Sequence, residues 1–320
     1  MKKLVAGTLL LGLATLSMAQ GWPSAKPIRL IVGYPPGGGI DFAARTVQVP
    51  LQEALKQQIV VDYKPGAGGM LAATELTRAA PDGYTLLLAN TGPFAIAPYL
   101  QRKMPYEPLK QFTYIGQISQ GSYIAVTRPD HPAKDLKDWV AWAKANAGKV
   151  NFASGGAGTS THLNGELMNQ ATGLDVTHVP YKGSAPAVQD LIGGQTQLLI
   201  DAGPVLLPQI KGGKLKALAV TGPRRDPQLP DVPTVGELGF AAMESVGFQG
   251  LVGPAGLPKE VVDKLAAELA KVLAQADVKA KFASTGSEVH SLGPVEFFSF
   301  VKGENEKWAR LIRERKLELD

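Results

Sequence analysis

The sequence predicts an α/β protein of two lobes, each a mostly parallel sheet flanked by helices, with two strands crossing between them. Three observations carry this. Apolar runs of strand length alternate with segments of helical periodicity, the alternation breaks and then resumes in the second half, and a glycine-rich segment stands at a strand-to-helix junction in each half.

The chain opens with Met1-Lys2-Lys3 and an apolar run from Leu4 to Leu16 broken only by small residues, the layout of a signal peptide. Ser17-Met18-Ala19 places small residues at the third and first positions before a cut, so residues 1–19 are expected to leave and the mature chain to begin near Gln20. The run is shorter than the roughly 20 apolar residues that span a bilayer. Cysteine is absent, which removes disulfides and the acylated cysteine of a lipoprotein, so a free, soluble exported protein is expected.

Ile28-Arg29-Leu30-Ile31-Val32-Gly33 reads as a buried strand ended by Pro35-Pro36-Gly37-Gly38-Gly39. Asp41 then opens an amphipathic helix with Phe42, Val47, Leu51 and Leu55 on one face. Ile59 to Val61 reads as strand, Leu71 to Ala80 as helix and Tyr84 to Ala89 as strand. After a break the pattern returns: Tyr123 to Thr127 as strand, Leu136 to Asn146 as helix, Val150 to Ala153 as strand and Thr161 to Thr172 as helix. Ala185 to Ile192 and Val205 to Gly212 follow as helices, with strands at Leu198 to Asp201 and Leu215 to Thr221. A strand near Phe248 to Val252 precedes long helices at Pro258 to Phe282 and Pro294 to Arg313. The segments stopped by Arg128-Pro129 and Gly253-Pro254 are the expected crossing strands. The first lobe is therefore expected to comprise residues 20–121 and 248–320, and the second 122–247.

Composition narrows the function. With 45% hydrophobic and 19% charged residues the chain can build ordinary cores without a staple. The formal charge of +5 falls to +3 once Lys2 and Lys3 leave, because no acid leaves with them. Basic residues are scattered and aromatics make up 7%, which argues against a nucleic-acid surface.

The candidate site lies in the loops. Pro36, Gly37, Gly38 and Asp41 sit where unpaired N–H groups and the positive end of a helix dipole point into the crevice above the sheet, a place suited to an anion; Asp41 is also a natural N-cap. Ser154-Gly155-Gly156-Ala157-Gly158-Thr159-Ser160-Thr161 repeats the arrangement in the other lobe and adds hydroxyls, with Ser154, Gly158, Thr159 and Ser160 as candidates. Asn90 and Thr91 end the third strand on the same rim, and Tyr181 stands in a further rim loop leading to Gly183-Ser184. His162, on the helix after the second loop, is either a pocket residue or a hydrogen-bonded structural histidine. Asp201 ends an apolar run where a carboxylate needs a partner; it either accepts from a ligand amine or hydroxyl or ties the second-lobe loops together.

Catalytic patterns are missing. The four histidines, His131, His162, His178 and His290, have no zinc spacing, and no cysteine helps them. Gly-x-Ser-x-Gly does not occur, Gly212-Gly213-Lys214 is followed by Leu215 rather than a hydroxyl, and Leu71 stands where a dinucleotide fingerprint starting at Gly66 needs its third glycine. No enzyme activity, cofactor or metal is expected.

Together these stretches resemble the TctC or Bug family, the receptors of tripartite tricarboxylate transporters, the second name referring to Bordetella uptake genes. The resemblance runs from Lys26-Pro27-Ile28 through Pro35 to Asp41 and Ala44-Arg45, then Lys64-Pro65-Gly66-Ala67-Gly68-Gly69 and Ala80-Pro81-Asp82-Gly83-Tyr84. It continues in His162-Leu163, Gly165-Glu166-Leu167, His178 to Ser184, Asp190 to Gln195, Asp231-Val232-Pro233-Thr234 and Gly253-Pro254-Ala255-Gly256. It implies a class II periplasmic binding-protein fold, a small carboxylate held between the lobes by the two glycine loops in part through water, hinge closure, and delivery to membrane permease subunits. It also implies the periplasm of a Gram-negative bacterium; a monomer is expected, since the cleft must open freely. A sensor subunit signalling to a membrane histidine kinase would use the same closed surface. Two departures bear on which ligand is held: Phe248 is the lone aromatic between Ser245 and Gly250, where many relatives carry a pair, and Met70 replaces a residue that is often asparagine.

Overall fold

In the computed structural model, which describes residues 21–317, a mixed sheet runs through both lobes. The expected signal peptide at 1–19 lies outside the described residues. In the first lobe β1 (Ile28–Val32) lies between β2 (Ile59–Tyr63) and β3 (Thr85–Asn90), all parallel. β3 then meets β9 (Val246–Pro254) antiparallel, and β9 meets β4 (Phe112–Thr127) antiparallel. In the second lobe β5 (Asn151–Ser154) lies parallel between β6 (Thr177–Pro180) and β7 (Leu198–Ala202). β7 and β8 (Lys216–Val220) both pair antiparallel with the end of β4.

β1 shows why the first lobe needs helices on both faces. Ile28, Leu30 and Val32 face one way, against Val47, Leu51 and Leu55 of α1 (Gly39–Leu55) and Leu265 and Leu269 of α8 (Lys259–Ala274). Ile31 faces the other way, with Ala72, Ala73 and Leu76 of α2 (Met70–Leu76) and Phe297, Val301 and Trp308 of α10 (Pro294–Arg315). Such strands read as continuous apolar runs because neither face meets water. The second lobe repeats the plan: Leu198 and Ile200 join Trp139 of α4 (Leu136–Ala145) and Met168 of α5 (Ser160–Thr172), while Leu199 joins Val188 and Leu191 of α6 (Ser184–Ile192) and Leu206 of α7 (Gly203–Lys211).

The lobes meet at two adjacent chain crossings. β4 pairs with β9 up to Ser122, opposite Val246, and from Tyr123 onward pairs with β7. Both passages between lobes therefore lie side by side.

Three expectations need correction. The strand read as Tyr123 to Thr127 begins at Phe112; its first half pairs with β9 along its length, and β10 (Ser287–Val289) pairs with it at Ser119 to Gly121. The single helix expected from Pro258 to Phe282 is two, α8 and α9 (Ala276–Ala283), parted at Gln275, whose ψ of 137° is extended. That bend lets Val278 and Phe282 turn onto the first-lobe core, where Phe282 meets Phe42 edge-on. The segment read as a rim loop from Val179 begins inside β6. Residues Gly92–Ile96 form a π-helical turn that continues into α3 (Ala97–Leu100), a wide-turn geometry frequent at functional sites.

Candidate functional site

The lobes enclose a cleft of about 780 Å³, the space at its mouth included. They approach closely around it: a Cβ placed on Gly39 would lie 3.5 Å from the Cβ of Ala202, and one on Gly68 would lie 3.2 Å from the carbonyl oxygen of Ala157. The first is an ordinary van der Waals contact, whereas the second is tight enough that a side chain at Gly68 would press on the other lobe.

Four helices turn their N-terminal ends toward this space. α1 lines it through Gly38, Gly39 and Ile40, α5 through Thr159, Ser160 and Thr161, α6 through Gly183, Ser184 and Ala185, and α7 through its cap residue Ala202. The first N–H groups of a helix have no partner within it, and its dipole places about half a positive charge there. At Gly38, Gly183 and Ala202 no cap side chain takes those donors; Thr159 alone of the four accepts one, from His162 N at 3.4 Å. The cleft is therefore built to hold negative charge.

The first loop holds its shape through Asp41. Gly37 takes φ +91°, and its N–H donates to Asp41 Oδ2 at 2.8 Å, while Arg45 Nε and the Tyr63 hydroxyl donate to Oδ1 at 2.8 and 2.5 Å. Burial pushes the Asp41 pKa up, but these three donors and the charge of Arg45 outweigh it and leave it below the ordinary value. Asp41 is thus the third residue of α1, reaching back in the manner of a capping box; the N-cap is Gly38. Its carboxylate is turned to Arg45 and Tyr63, and neither it nor Gly37 lines the cleft.

The second loop is held by a neutral, buried network. Ser154 Oγ lies 2.6 Å from His178 Nε2 and accepts from Gly156 N at 3.1 Å; Thr161 Oγ1 accepts from Gly155 N at 2.8 Å; His162 Nδ1 accepts from Gly158 N at 3.2 Å. The rings of His162 and His178 stack with centroids 3.9 Å apart, and burial, for His178 with the nearby His162, holds their pKa values down at about 4 and about 3. Ser154 and Gly158, within the loop, and His162 beyond it do not line the cleft and spend their hydrogen bonds on the loop itself, while Thr159 and Ser160 do line it.

Of the other expected residues, Pro36, Asn90, Thr91 and Asp201 line the cleft. Asn90 Nδ2 donates to the Tyr34 hydroxyl at 3.1 Å, and Thr91 Oγ1 accepts from Phe248 N at 3.1 Å, tying the end of β3 to β9. Tyr181 turns away: its hydroxyl donates to Asp190 at 2.7 Å and its ring packs on the second-lobe core. Asp201 is buried; Oδ1 accepts from Ala202 N at 2.7 Å. Burial pushes its pKa up to about 6, against the hydroxyl of Ser184 and that N–H.

Sequence reasoning noted Phe248 only as a departure from relatives and missed Tyr34 and Tyr123, with Gln249 beside them; all four line the cleft. Tyr34 follows β1 after Gly33, donates to Gly68 O at 2.7 Å and is pushed by burial up to about 12, so it stays a neutral wall. Tyr123 stands at the crossing itself, where burial pushes its pKa up against the hydroxyls of Ser160 in one lobe and Thr91 in the other. A tyrosine directly after a strand stopped by Pro-Pro was the one available signal for Tyr34, and the lone aromatic of its stretch the signal for Phe248; nothing in the pattern separates Tyr123 from core residues.

The family model described as tripartite tricarboxylate transporter family receptor matches residues 43–317. Among solved structures, the periplasmic binding protein BugD is 35% identical, covering 92% of this chain and 99% of its own, with a TM-score of 0.87. Rpa4515 from R. palustris, solved with adipate, is 29% identical over 93% of this chain and 99% of its own, with a TM-score of 0.89. MatC from Rhodopseudomonas palustris, with bound malate, is 31% identical over 90% and 99%, with a TM-score of 0.86. The two-lobed α/β fold of these receptors is the fold of this chain.

Proposed function

The chain belongs to the tripartite tricarboxylate transporter receptor family, and on that premise we propose that it is a periplasmic receptor which closes on a carboxylate group of a small organic acid and delivers the acid to a membrane permease. The family is one of receptors rather than enzymes. The observation that carries the ligand class is the convergence of four helix N-termini, three without a side-chain cap, on one interlobe cleft. Adipate and malate, held by two of the relatives, are both small dicarboxylates, which supports the same reading.

Residues 20–121 with 248–320 form one lobe and 122–247 the other, after loss of residues 1–19 on export. Donors from both lobes meet one anion only when the lobes are together, so the anion favours the closed form in proportion to the contacts it gains there. Tyr123, Ser160 and Thr91 sit where that closure is sensed, since they join the crossing strand to each lobe. The closed monomer then presents a surface to permease subunits that the open form lacks.

Thermal unfolding of the mature, ligand-stripped protein against mono-, di- and tricarboxylates and their neutral amides tests this. A binder at about 100 times its dissociation constant adds about 2.7 kcal/mol. Stabilisation by acids and not by their amides is expected; stabilisation by amides alone would overturn the anion site.

A further inference from the structure

Within the cleft one group is at odds with an anion site. Asp201 is 3% exposed, and while its Oδ1 accepts from Ala202 N, its Oδ2 is buried and makes no hydrogen bond of normal geometry, although the Ser184 hydroxyl stands close enough to the carboxylate to hold its pKa down. Asp201 lines the cleft, and it is the next-to-last residue of β7, immediately before Ala202, whose Cβ would lie 3.5 Å from a Cβ on Gly39 in the first turn of α1. A buried carboxylate oxygen without a donor is costly, and a second anion placed against it would raise the cost. Both are relieved if the ligand itself brings a donor.

We infer that Asp201 is a specificity-determining residue whose Oδ2 accepts a hydrogen bond from the ligand, and that the ligand is a small carboxylate carrying a hydroxyl or ammonium group within a few bonds of the carboxylate held by α1. This rests on the carboxylate reading of the cleft and sharpens it. The closeness of Ala202 to Gly39 sets the spacing: a carboxylate at the N-terminus of α1 puts its neighbouring carbons beside the end of β7. Hydroxy acids and amino acids share this chemistry; plain acids of the same skeleton lack it.

The test uses matched sets on the mature protein: succinate, malate and aspartate; glutarate, 2-hydroxyglutarate and glutamate; propionate, lactate and alanine, with both enantiomers of each chiral member. Calorimetric titration of wild type should show, in the set that fits, a donor-bearing member binding at least about tenfold tighter than the plain acid, because a site that hydrogen-bonds a ligand group rejects the analogue lacking it. Asp201→Ala should abolish that preference, read as the ratio of the donor-bearing to the plain acid in the same variant. Asp201→Asn, which keeps the shape and one acceptor oxygen, separates the two donors: an ammonium ligand loses most of its affinity, whereas a hydroxyl ligand keeps most of it. Equal binding of the plain acid by wild type, or a preference that survives in Asp201→Ala, would overturn the assignment of Asp201 and leave the anion site standing. Failure of every carboxylate in all three sets would instead refute the carboxylate reading, and this inference with it.

Discussion

The two glycine-rich loops occupy the same place in their lobes, each between a parallel strand and a helix, yet they are held in opposite ways. The first is held from outside by an ionised carboxylate: Asp41 takes one loop N–H, that of Gly37, and is itself fixed by Arg45 and Tyr63. The second is held from within by neutral groups, and the N–H donors of Gly155, Gly156, Gly158 and Thr159 are all taken by the loop or by residues behind it. The first loop therefore offers bare backbone at Gly38 and Gly39, whereas the second offers the start of α5 and the Ser160 hydroxyl. A loop keeps its own donors for a ligand only where something else maintains its shape.

Substitution at the glycines should separate the two loops most strongly. Gly38 has an ordinary φ of −92° and open space where a Cβ would go, so Gly38→Leu is expected to fold within about 1 kcal/mol of wild type and to lose at least about 100-fold in ligand affinity. Gly156 has φ +134°, and a Cβ there would meet the carbonyl oxygen of Tyr181 at 3.2 Å, so Gly156→Leu should lose both affinity and roughly 2 kcal/mol of stability. Denaturant titration and calorimetry on the pair check this; equal loss of stability in both would erase the contrast.

Acid should weaken the second loop before the first. The unfolded chain protonates its histidines near 6.5, while folded His162 and His178 stay neutral down to about 4 and about 3, so their contribution is complete above 6.5 and declines as pH falls toward those values. For His162 alone this amounts to roughly 3 kcal/mol. Asp41, held below its ordinary 3.8, keeps its contribution until pH falls under that value. Asp201 works the other way, because its raised pKa makes ionisation costly above about 6 and that cost disappears on acidification. The useful reading is therefore wild type minus His162→Gln in melting temperature from pH 7.5 to 5: the gap should narrow as pH falls, and a constant gap would remove the histidines from the account of the loop.

A smaller effect should appear at the first loop's outer support. Tyr63→Phe deletes one of the donors to Asp41 Oδ1 and leaves Arg45 and Gly37 in place, so a cost of about 1 kcal/mol is expected, with a modest loss of affinity. Denaturant midpoints check the first and titration the second. An unchanged midpoint would mean that Arg45 and Gly37 suffice.

The alternation of strand and helix was legible because strands buried on both faces, such as Ile28 to Val32, leave an unmistakable apolar run. Both glycine loops were legible for a related reason: a strand stopped by small residues before a helix exposes that helix's first N–H groups. The first half of β4 was not, since Gly116, Gln117 and Ser119 interrupt its apolar pattern and the strand there is held by its pairing with β9. Gln275 breaks a helix with neither proline nor glycine, through the packing of Phe282 on Phe42. Within the site, residue type indicated the loops but not the direction of each side chain. Asp41, His162 and Tyr181 sit at the right places along the chain but do not line the cleft, while Tyr34, Tyr123 and Phe248 do. Strand and helix periods locate a face only relative to its own lobe, and the cleft wall belongs to both lobes at once.

The most direct test is a crystal structure of the mature protein with its tightest-binding carboxylate. Convergent helix N-termini predict carboxylate oxygens within about 3 Å of the N–H groups of Gly38 or Gly39, directly or through one water, with Ser160 or Ser184 closing from the other lobe. A ligand whose carboxylate points out to Lys182 and solvent, with an uncharged part against the start of α1, would contradict it.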